Sequence, residues 1–347
     1  MNLSNPSSPK QKSEPLFLLI LSFVFILFVF LNRQSLFQKF NPKVVDDYLR
    51  SQDIEDRKDR IKNRIFLSDS DIYIASGYLY ANGKNPRDFN FQHPPFAKYL
   101  FGFSSKYFNL PLLPNIILGA ILVLEVFLLG KLVFKSELVG LLSSILIMFD
   151  PVFKEVTTYA LLDLSQMVFI LGFLITTLFY KKNLLLQAIL LGLSFASKFY
   201  SPVLILLGLT YLYKIYNKEF YLKRELLVLF ISFLVFSFTY VVSYPFNIFF
   251  YQARIIKFML SHNGATELGG VFKMFFTGYL LWPILFLVNL FLLFKEKLFS
   301  LKFLIFVIPV VYFLISTFQL PFTRYFILIL PFLYLSLTSV ICKNCLK

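Results

Sequence analysis

The feature that most constrains this sequence is a series of continuous apolar segments separated by short basic loops. The first runs from Leu16 to Leu31, and nine more follow residue 110. Membrane-spanning strands alternate apolar and polar residues, whereas these runs are unbroken. Because helices satisfy their own backbone hydrogen bonds in lipid, we expect an all-α polytopic membrane protein with about 10 transmembrane helices. The later segments cover approximately residues 111–131, 137–150, 159–180, 184–197, 199–213, 225–243, 274–294, 303–318 and 325–341.

The composition excludes an ordinary soluble domain. Hydrophobic residues make up 58% of the 347 residues and charged residues only 15%, whereas soluble domains are about half apolar and a quarter charged. The net charge of +15 does not indicate nucleic-acid binding, because excess Lys and Arg in a polytopic protein marks cytoplasmic loops and contact with anionic lipid. We therefore expect membrane lipid as a partner and no nucleic acid.

The hydrophilic parts of the chain define its organisation. Residues 1–15 are polar and predict a disordered cytoplasmic tail, and residues 16–347 predict a single transmembrane domain. No small-residue cleavage site follows the first apolar segment, so we expect it to remain as the first spanning helix. The long segment 32–110 carries charges of both signs and spaced apolar residues, which predict one or two short amphipathic helices at the membrane surface. A solvated charged linker fits residues 46–60 equally well.

The loop charges predict the orientation of the chain. With the N-terminal tail in the cytoplasm, the loops on that side contain 15 basic and five acidic residues, against six basic residues in the opposite short loops. By the positive-inside rule, both termini of this multi-pass plasma-membrane protein are cytoplasmic and residues 32–110 form an extracytoplasmic catalytic loop. ATP and nucleotide sugars are absent from that side. Transfer chemistry there needs an activated donor that arrives within the membrane.

Residues 69–98 are a polar stretch in an otherwise apolar chain, and they carry the strongest candidates for chemistry. Asp69 and Asp71 each fit a general base, and one of them also fits a helix N-cap. His93 precedes two prolines, which we expect to hold the backbone extended and to present the imidazole in a defined direction. Lys98 follows in the same stretch. The alternative role for this motif is a rigid lead-in to the second transmembrane helix.

Further candidates lie at the predicted outer ends of apolar segments. The ammonium of Lys198, at a membrane boundary, either snorkels or binds an anion such as a lipid phosphate. Arg324, beside Tyr325, either anchors the last helix at the interface or binds phosphate bidentately. Asp163 lies just inside a helix, where an ionisable residue indicates function.

Recognisable cofactor signatures are absent from the sequence. It contains no P-loop, Rossmann fingerprint, HExxH motif or catalytic-triad spacing. Asp69 and Asp71 alone do not make a metal site, so no metal ligand is assigned, although a divalent cation stays compatible with them.

With these residues laid out, the chain resembles the GT-C membrane glycosyltransferases, specifically the branch of protein O-mannosyltransferases and aminoarabinose lipid A transferases. In that family the first outer loop carries an Asp-Glu pair, followed by a His-Pro-Pro-Leu-type motif before the second helix. Here Asp69-Ser70-Asp71 and His93-Pro94-Pro95-Phe96 occupy those places.

Three later motifs of the family are matched in part, and the resemblance covers most of the chain. An Arg-x-x-Leu-Leu-Asp element is represented by residues 159–163, ending at Asp163. A Gly-rich helix that ends in Ser-x-Lys-aromatic is represented by residues 192–200, with the lysine at Lys198. A late Arg-Tyr pair is represented by Arg324 and Tyr325.

Two positions depart from the family pattern. Ser70 replaces the expected Glu, with the second acid moved to Asp71, so either Asp69 or Asp71 fits the base. Thr158 stands where the arginine of the Leu-Leu-Asp element is expected. Nothing in the chain resembles the luminal β-trefoil domain of eukaryotic mannosyltransferases.

The resemblance implies an inverting hexosyl- or mannosyltransferase that uses an Asp base. It would transfer a sugar from a dolichyl- or undecaprenyl-phosphate donor to a hydroxyl of a protein, lipid or glycan on the extracytoplasmic face. A polytopic transporter and a non-catalytic relative are the alternatives. Transporters usually place ionisable residues near the bilayer midplane within inverted repeats, and no repeat is visible here. The residues expected to bind the substrate and its lipid phosphate are His93, Lys98, Asp163, Lys198, Arg324 and Tyr325.

Overall fold

The computed structural model describes residues 14–52, 66–240, 252–257, 270–316 and 322–345. All regular structure in these ranges is helical, and no strand occurs in them. The expected all-α class is confirmed. Most of the predicted N-terminal tail, residues 1–13, and part of the predicted amphipathic region, residues 53–65, lie outside the described residues.

The described part of the hydrophilic segment after the first apolar helix contains four helices. The predicted amphipathic helix is present as α3, whose Val45 and Tyr48 are buried against Ala75 and Leu79 of α4. The chain enters α5 through Pro95, which has helical backbone angles (φ −88°, ψ −15°). The extended conformation expected for both prolines is therefore wrong at the second one, because it already forms the N-cap of α5. The helices are α1 Glu14–Leu31, α2 Arg33–Leu36, α3 Lys43–Gln52, α4 Asp69–Ala81 and α5 Phe96–Phe108.

The remaining helices follow the predicted apolar segments closely, usually within a few residues at each end. A short helix, α8, was not anticipated; it begins at Pro151, with Asp150 as its N-cap. The helices are α6 Leu113–Phe134, α7 Glu137–Met148, α8 Pro151–Thr158, α9 Leu162–Phe179, α10 Leu184–Ser197, α11 Ser201–Tyr216, α12 Leu222–Phe238, α13 Gly270–Gly278, α14 Leu281–Lys295, α15 Leu301–Ser316, a 3-10 helix Thr323–Leu328 and α16 Leu330–Cys345.

Length and composition mark fewer membrane spans than the expected ten. Among the described residues, α1, α6 and α9 are long and apolar enough to cross a membrane, and α13 with α14 makes a fourth if this pair, bent by 105°, is one span. Five shorter apolar helices accompany them: α7, α10, α11, α15 and α16. Helix α9 is the centre of the bundle, because 89% of its residues are buried, against 6% of those of α1. The chain is an integral membrane protein.

Glycines bring two pairs of helices into backbone contact. A methyl group on Gly77 of α4 would lie 2.1 Å from the carbonyl oxygen of Lys98 in α5, and one on Gly102 would lie 1.9 Å from the carbonyl oxygen of Gly77. Gly130 of α6 and Gly140 of α7 approach each other in the same way. Small residues at such crossings are the usual means of tight helix packing in membranes. The backbones of α4 and α5 therefore touch directly.

Substitution of Gly77 by Ala should force α4 away from α5. We expect a net loss of stability on the order of 1–3 kcal/mol, because the added methyl group overlaps backbone atoms that have no rotamer to relax. The measurement is thermal unfolding in detergent micelles. Gly208→Ala in α11 is the matched control, since no atom lies within 4 Å of a methyl group at that position. An equal fall in the two variants would contradict the close contact.

Candidate functional site

The first turn of α4 directs its two acids to opposite sides. Ser68 caps the helix, and the Oδ2 atom of Asp71 accepts hydrogen bonds from the Ser68 hydroxyl at 2.7 Å and the Ser68 backbone N–H at 3.2 Å. Asp69 instead accepts a bond from Nη2 of Arg324 at 2.5 Å on Oδ2. Residues two apart in a helix point about 160° away from each other. Asp71 thus caps the helix, while Asp69 joins a charged cluster.

Asp163 is the centre of that cluster. Its Oδ1 forms an ion pair with the ammonium of Lys198, and its Oδ2 lies 3.7 Å from Nε of Arg324. Asp163 occupies the first turn of α9, where the helix dipole favours a negative charge. The side chains of Asp163 and Lys198 are only 2% and 9% exposed. One buried carboxylate therefore holds two cations that come from distant parts of the chain.

Aromatic rings support the two cations. Lys198, the C-cap residue of α10, places its ammonium 4.3 Å from the centre of the Tyr325 ring. The guanidinium of Arg324 lies 4.3 Å from the centre of the Phe322 ring. A cation over an aromatic face is attracted to the ring, and this attraction is stronger when water is excluded. We refer to Asp69, Asp163, Lys198 and Arg324 as the ion cluster; their formal charges sum to zero.

His93 lies beside the ion cluster. Its ring meets that of Tyr73 edge to face, with 6.2 Å between the centroids, and no group in the described part of the chain bonds to its buried Nδ1. Burial, followed by the positive charges of Lys198, Lys98 and Arg324, lowers the pKa of His93 well below its ordinary value. The imidazole is therefore neutral and has a nitrogen available to a ligand.

Lys98 has a different environment from the other predicted ligands. It is fully buried, and its ammonium donates to the backbone oxygens of Asn90 at 2.5 Å and His93 at 2.9 Å. These bonds fasten the turn that carries His93 onto α5. We therefore assign Lys98 to positioning His93.

Several structural contacts around the site were not anticipated. The hydroxyl of Ser70 accepts a bond from the backbone N–H of Ala160 at 2.9 Å, which ties α4 to the chain just before α9. The amide of Asn115 donates to the carbonyl oxygen of Tyr159 at 2.7 Å. A single amide inside an apolar run was the available signal for Asn115, whereas nothing local to Ser70 predicts its distant partner.

Asp150 is a structural residue. Its Oδ1 accepts from the backbone N–H of Val152 at 2.8 Å, and its Oδ2 accepts from Nε1 of Trp282 at 3.0 Å and from the Tyr334 hydroxyl at 2.7 Å. These bonds join the start of α8 to α14 and α16. Asp150 therefore both caps α8 and links three helices.

Two cavities involve residues close in the chain to the ion cluster. The first is an apolar groove of about 280 Å³ between α10, α11 and α12, with walls that include Phe195, Leu204 and Phe233. Tyr200, two residues after Lys198, also lines this groove. The second is a polar cavity of about 360 Å³ on the Asp71 side of α4.

The described residues contain no group of three or more His, Cys, Asp or Glu side chains placed to hold a metal ion. The two carboxylates of the ion cluster, on Asp69 and Asp163, are bridged by Arg324. The position between these two carboxylates, where a bridging cation would sit, is thus taken by the guanidinium of Arg324.

The architecture is similar to that of solved membrane enzymes. The structure of ArnT from Cupriavidus metallidurans bound to undecaprenyl phosphate superposes with a TM-score of 0.65 and 13% sequence identity over 97% of this chain. The fold is that of ArnT. The apo state of ArnT gives a TM-score of 0.63 with 12% identity over 95% of the chain. No protein-family model and no curated protein matches the sequence.

The all-helical fold expected from the resemblance is therefore supported as the fold of ArnT. The mannosyltransferase branch stays a prediction. The chain spans 61% of the length of lipid-bound ArnT and 59% of the apo chain. The similarity therefore concerns the fold, and the activity of this chain depends on its own site residues.

Removal of the Asp163 carboxylate should destabilise the protein strongly. In Asp163→Ala, Lys198 stays buried without its ion pair, and breaking a buried pair in this way typically costs about 3–5 kcal/mol. Glu219→Ala is the matched control, because its pair with Lys181 is exposed at the surface and is worth at most about 1 kcal/mol. Thermal unfolding in detergent compares the two. Similar losses in both variants would contradict a structural role for Asp163.

Neutral His93 should make the stability pH-dependent. The unfolded chain takes up a proton on this histidine below about pH 6.5, while burial keeps the folded side chain neutral. Stability should therefore fall as the pH drops below that value, by at most about 1.4 kcal/mol per pH unit. His93→Gln should unfold with a smaller decrease in melting temperature between pH 7.5 and 5.5.

The control for this experiment is His262→Gln, which measures the share of the only other histidine in the chain. An unchanged pH dependence in His93→Gln would show that His93 titrates equally in both states.

Proposed function

We propose that this protein transfers a sugar from a polyprenyl-phosphate donor to a hydroxyl acceptor on the extracytoplasmic side of the membrane. The observation that carries the proposal is the ion cluster: two cations and two carboxylates gathered beside an apolar groove in a helical bundle. The ArnT fold and the binding of undecaprenyl phosphate by ArnT support this interpretation.

The proposed orientation follows from charge. Lys and Arg are concentrated in the loops that we place in the cytoplasm. The residues of the ion cluster lie at the other ends of the apolar segments, which we therefore place on the extracytoplasmic side. We further propose that the five shorter apolar helices cross the bilayer together with the longer ones, with neighbouring helices and flanking residues completing the span. This brings the total close to ten.

The donor would lie with its chain in the apolar groove and its phosphate at the ion cluster. Tyr200 lines the groove and follows Lys198 by two residues, so we place the head of a lipid in the groove at that ammonium. Arg324 has five N–H donors. Its Nη2 bonds Asp69 and its Nε faces Asp163, which leaves further donors for a phosphate oxygen. Either a dolichyl or an undecaprenyl chain fits this scheme.

The proposed reaction is a single displacement. The acceptor oxygen forms a bond to the anomeric carbon as the bond from that carbon to the phosphate oxygen breaks. The electron pair leaves with the phosphate, and the acceptor proton goes to Asp69, so the configuration inverts. The lipid phosphate is already a stable anion and needs no general acid. Its growing negative charge is stabilised by Lys198 and Arg324, which Asp163 holds in place.

His93 and Tyr325 complete the proposed donor site. A neutral His93 can donate one hydrogen bond to a sugar or phosphate oxygen without adding charge. The ring of Tyr325 contacts the Lys198 ammonium, so this cation is held in place by a ring and by Asp163, without a second carboxylate.

The test is transfer by the purified full-length chain, measured by mass spectrometry with undecaprenyl- and dolichyl-phosphate sugars as donors. We expect Asp69→Asn to lower the rate constant by about 10²–10⁴, the usual contribution of a general base. Asp71→Asn is the comparison variant, because an amide oxygen can still accept the capping bond; its rate constant at saturating acceptor concentration should persist, whatever happens to the KM for the acceptor.

Two outcomes would contradict this assignment. Full activity in Asp69→Asn, with Asp71→Asn inactive, moves the base to Asp71. No transfer from any donor, accompanied by solute flux in proteoliposomes, replaces the transferase with a transporter.

A further inference from the structure

The polar cavity on the Asp71 side of α4 is lined by none of the residues that we assign to the donor. Its volume of about 360 Å³ falls at the lower end of the range for small-molecule sites. Four parts of the chain form its wall: the stretch from α2 to the start of α3, the first turns of α4, the connection between α5 and α6, and the end of α8. We call this space the α4 cavity.

The lining of the α4 cavity combines a carboxylate, an ammonium, side-chain amides and hydroxyls. Such a set both donates and accepts hydrogen bonds from several directions, which suits a ligand with many hydroxyl groups. Phe40 and Tyr159 add aromatic faces, which pack against the C–H faces of sugar rings. The polar groups are on Ser35, Gln38, Lys39, Asn41, Asp71 and Thr158.

Two of the charged groups are available for a ligand. Both bonds from Ser68 fall on Oδ2 of Asp71, and within the described ranges no donor bonds to its Oδ1. Lys39 forms no ion pair with any carboxylate that the structure describes. A ligand hydroxyl can therefore bond to Asp71 without breaking the helix cap.

The α4 cavity extends over the N-terminal end of α4, because Ser68 and Ser70, the two neighbours of Asp69 in the chain, both line it. Asp69 and Asp71 point to opposite sides of the helix, so a ligand that contacts both must pass over this end. The side chain of Asp69 is 38% exposed and is not closed off by its pair with Arg324. A saccharide held by Asp71 that extends past Ser68 and Ser70 can therefore bring a hydroxyl to Asp69.

We propose that the α4 cavity is the acceptor subsite and that the acceptor is a saccharide hydroxyl, held by Asp71, Lys39 and the neighbouring amides. This inference rests on the proposed sugar transfer. It adds the class of acceptor and gives the second acid of α4 a positioning role.

A protein acceptor fits the cavity less well. Extended peptides are commonly bound by adding a strand to a sheet edge or by laying an apolar helix face into a groove. The described part of the chain has no strand, and the cavity is lined mostly by polar side chains.

Ser35→Trp tests the proposal by filling the cavity from an exposed position of α2. Gln34→Trp is the matched control, since Gln34 precedes Ser35 in the same helix and does not line the cavity. The first readout is binding of methyl glycosides of glucose, mannose and galactose at millimolar concentration, by saturation-transfer NMR in detergent. The second is binding of undecaprenyl phosphate by native mass spectrometry.

We expect a saturable glycoside signal in the wild type and in Gln34→Trp, and its loss in Ser35→Trp, with undecaprenyl phosphate bound equally by all three. Asp71→Asn should weaken glycoside binding about tenfold. In a transfer assay, Ser35→Trp should raise the KM for the acceptor at least tenfold and leave the KM for the donor unchanged.

Three results would overturn the proposal: no glycoside binding in the wild type, equal glycoside binding in Ser35→Trp, or loss of undecaprenyl phosphate in Ser35→Trp, which would assign the cavity to the donor. If a Ser/Thr hexapeptide bound in the cavity and no glycoside did, the acceptor would be a protein. The glycoside measurement needs no turnover, so failure of the transferase proposal remains distinguishable from failure of this one.

Discussion

The arrangement of this site depends on one buried carboxylate that binds two cations. Asp163 comes from α9, the most enclosed of the three long apolar helices, and it contacts Lys198 at the end of α10 and Arg324 in the 3-10 helix before α16. Removing charges from water is costly unless each is paired and hydrogen-bonded. The pairing therefore fixes where three elements meet, and it leaves two cations aimed at one point before a substrate arrives.

The helical architecture could be predicted from the sequence because it is encoded locally. Each apolar run carries its own hydrogen bonds when it forms a helix, so most segments predicted after residue 110 match a helix with small shifts at the ends. The exceptions are α8, which no apolar segment predicted, and the bend between α13 and α14 inside one predicted segment. The capping signal at Ser68 and Asp71 was also local, and both side chains form the capping box.

The contacts between distant residues could not be predicted in this way. Arg324 and Asp69 are 255 positions apart, and no periodicity connects them. The motif resemblance identified both residues but not their bond. Lys98 illustrates the same limit, because its charge suggested a phosphate ligand while its actual partners are backbone oxygens of its own turn. The polar cavity was also missed, since its wall comes from four separate stretches of the chain that give no sign of one another in the sequence.

The glycine contact between α4 and α5 has a mechanical consequence. Gly77 and Gly102 bring the two backbones together, so the helix that starts at Asp69 and the turn that carries His93 are joined without an intervening side chain. Such a joint has no rotamers through which it could loosen. The spacing between the helix that carries the acid and α5 is thus built into the main chain, and the side chain of Lys98 is what then connects the His93 turn to it.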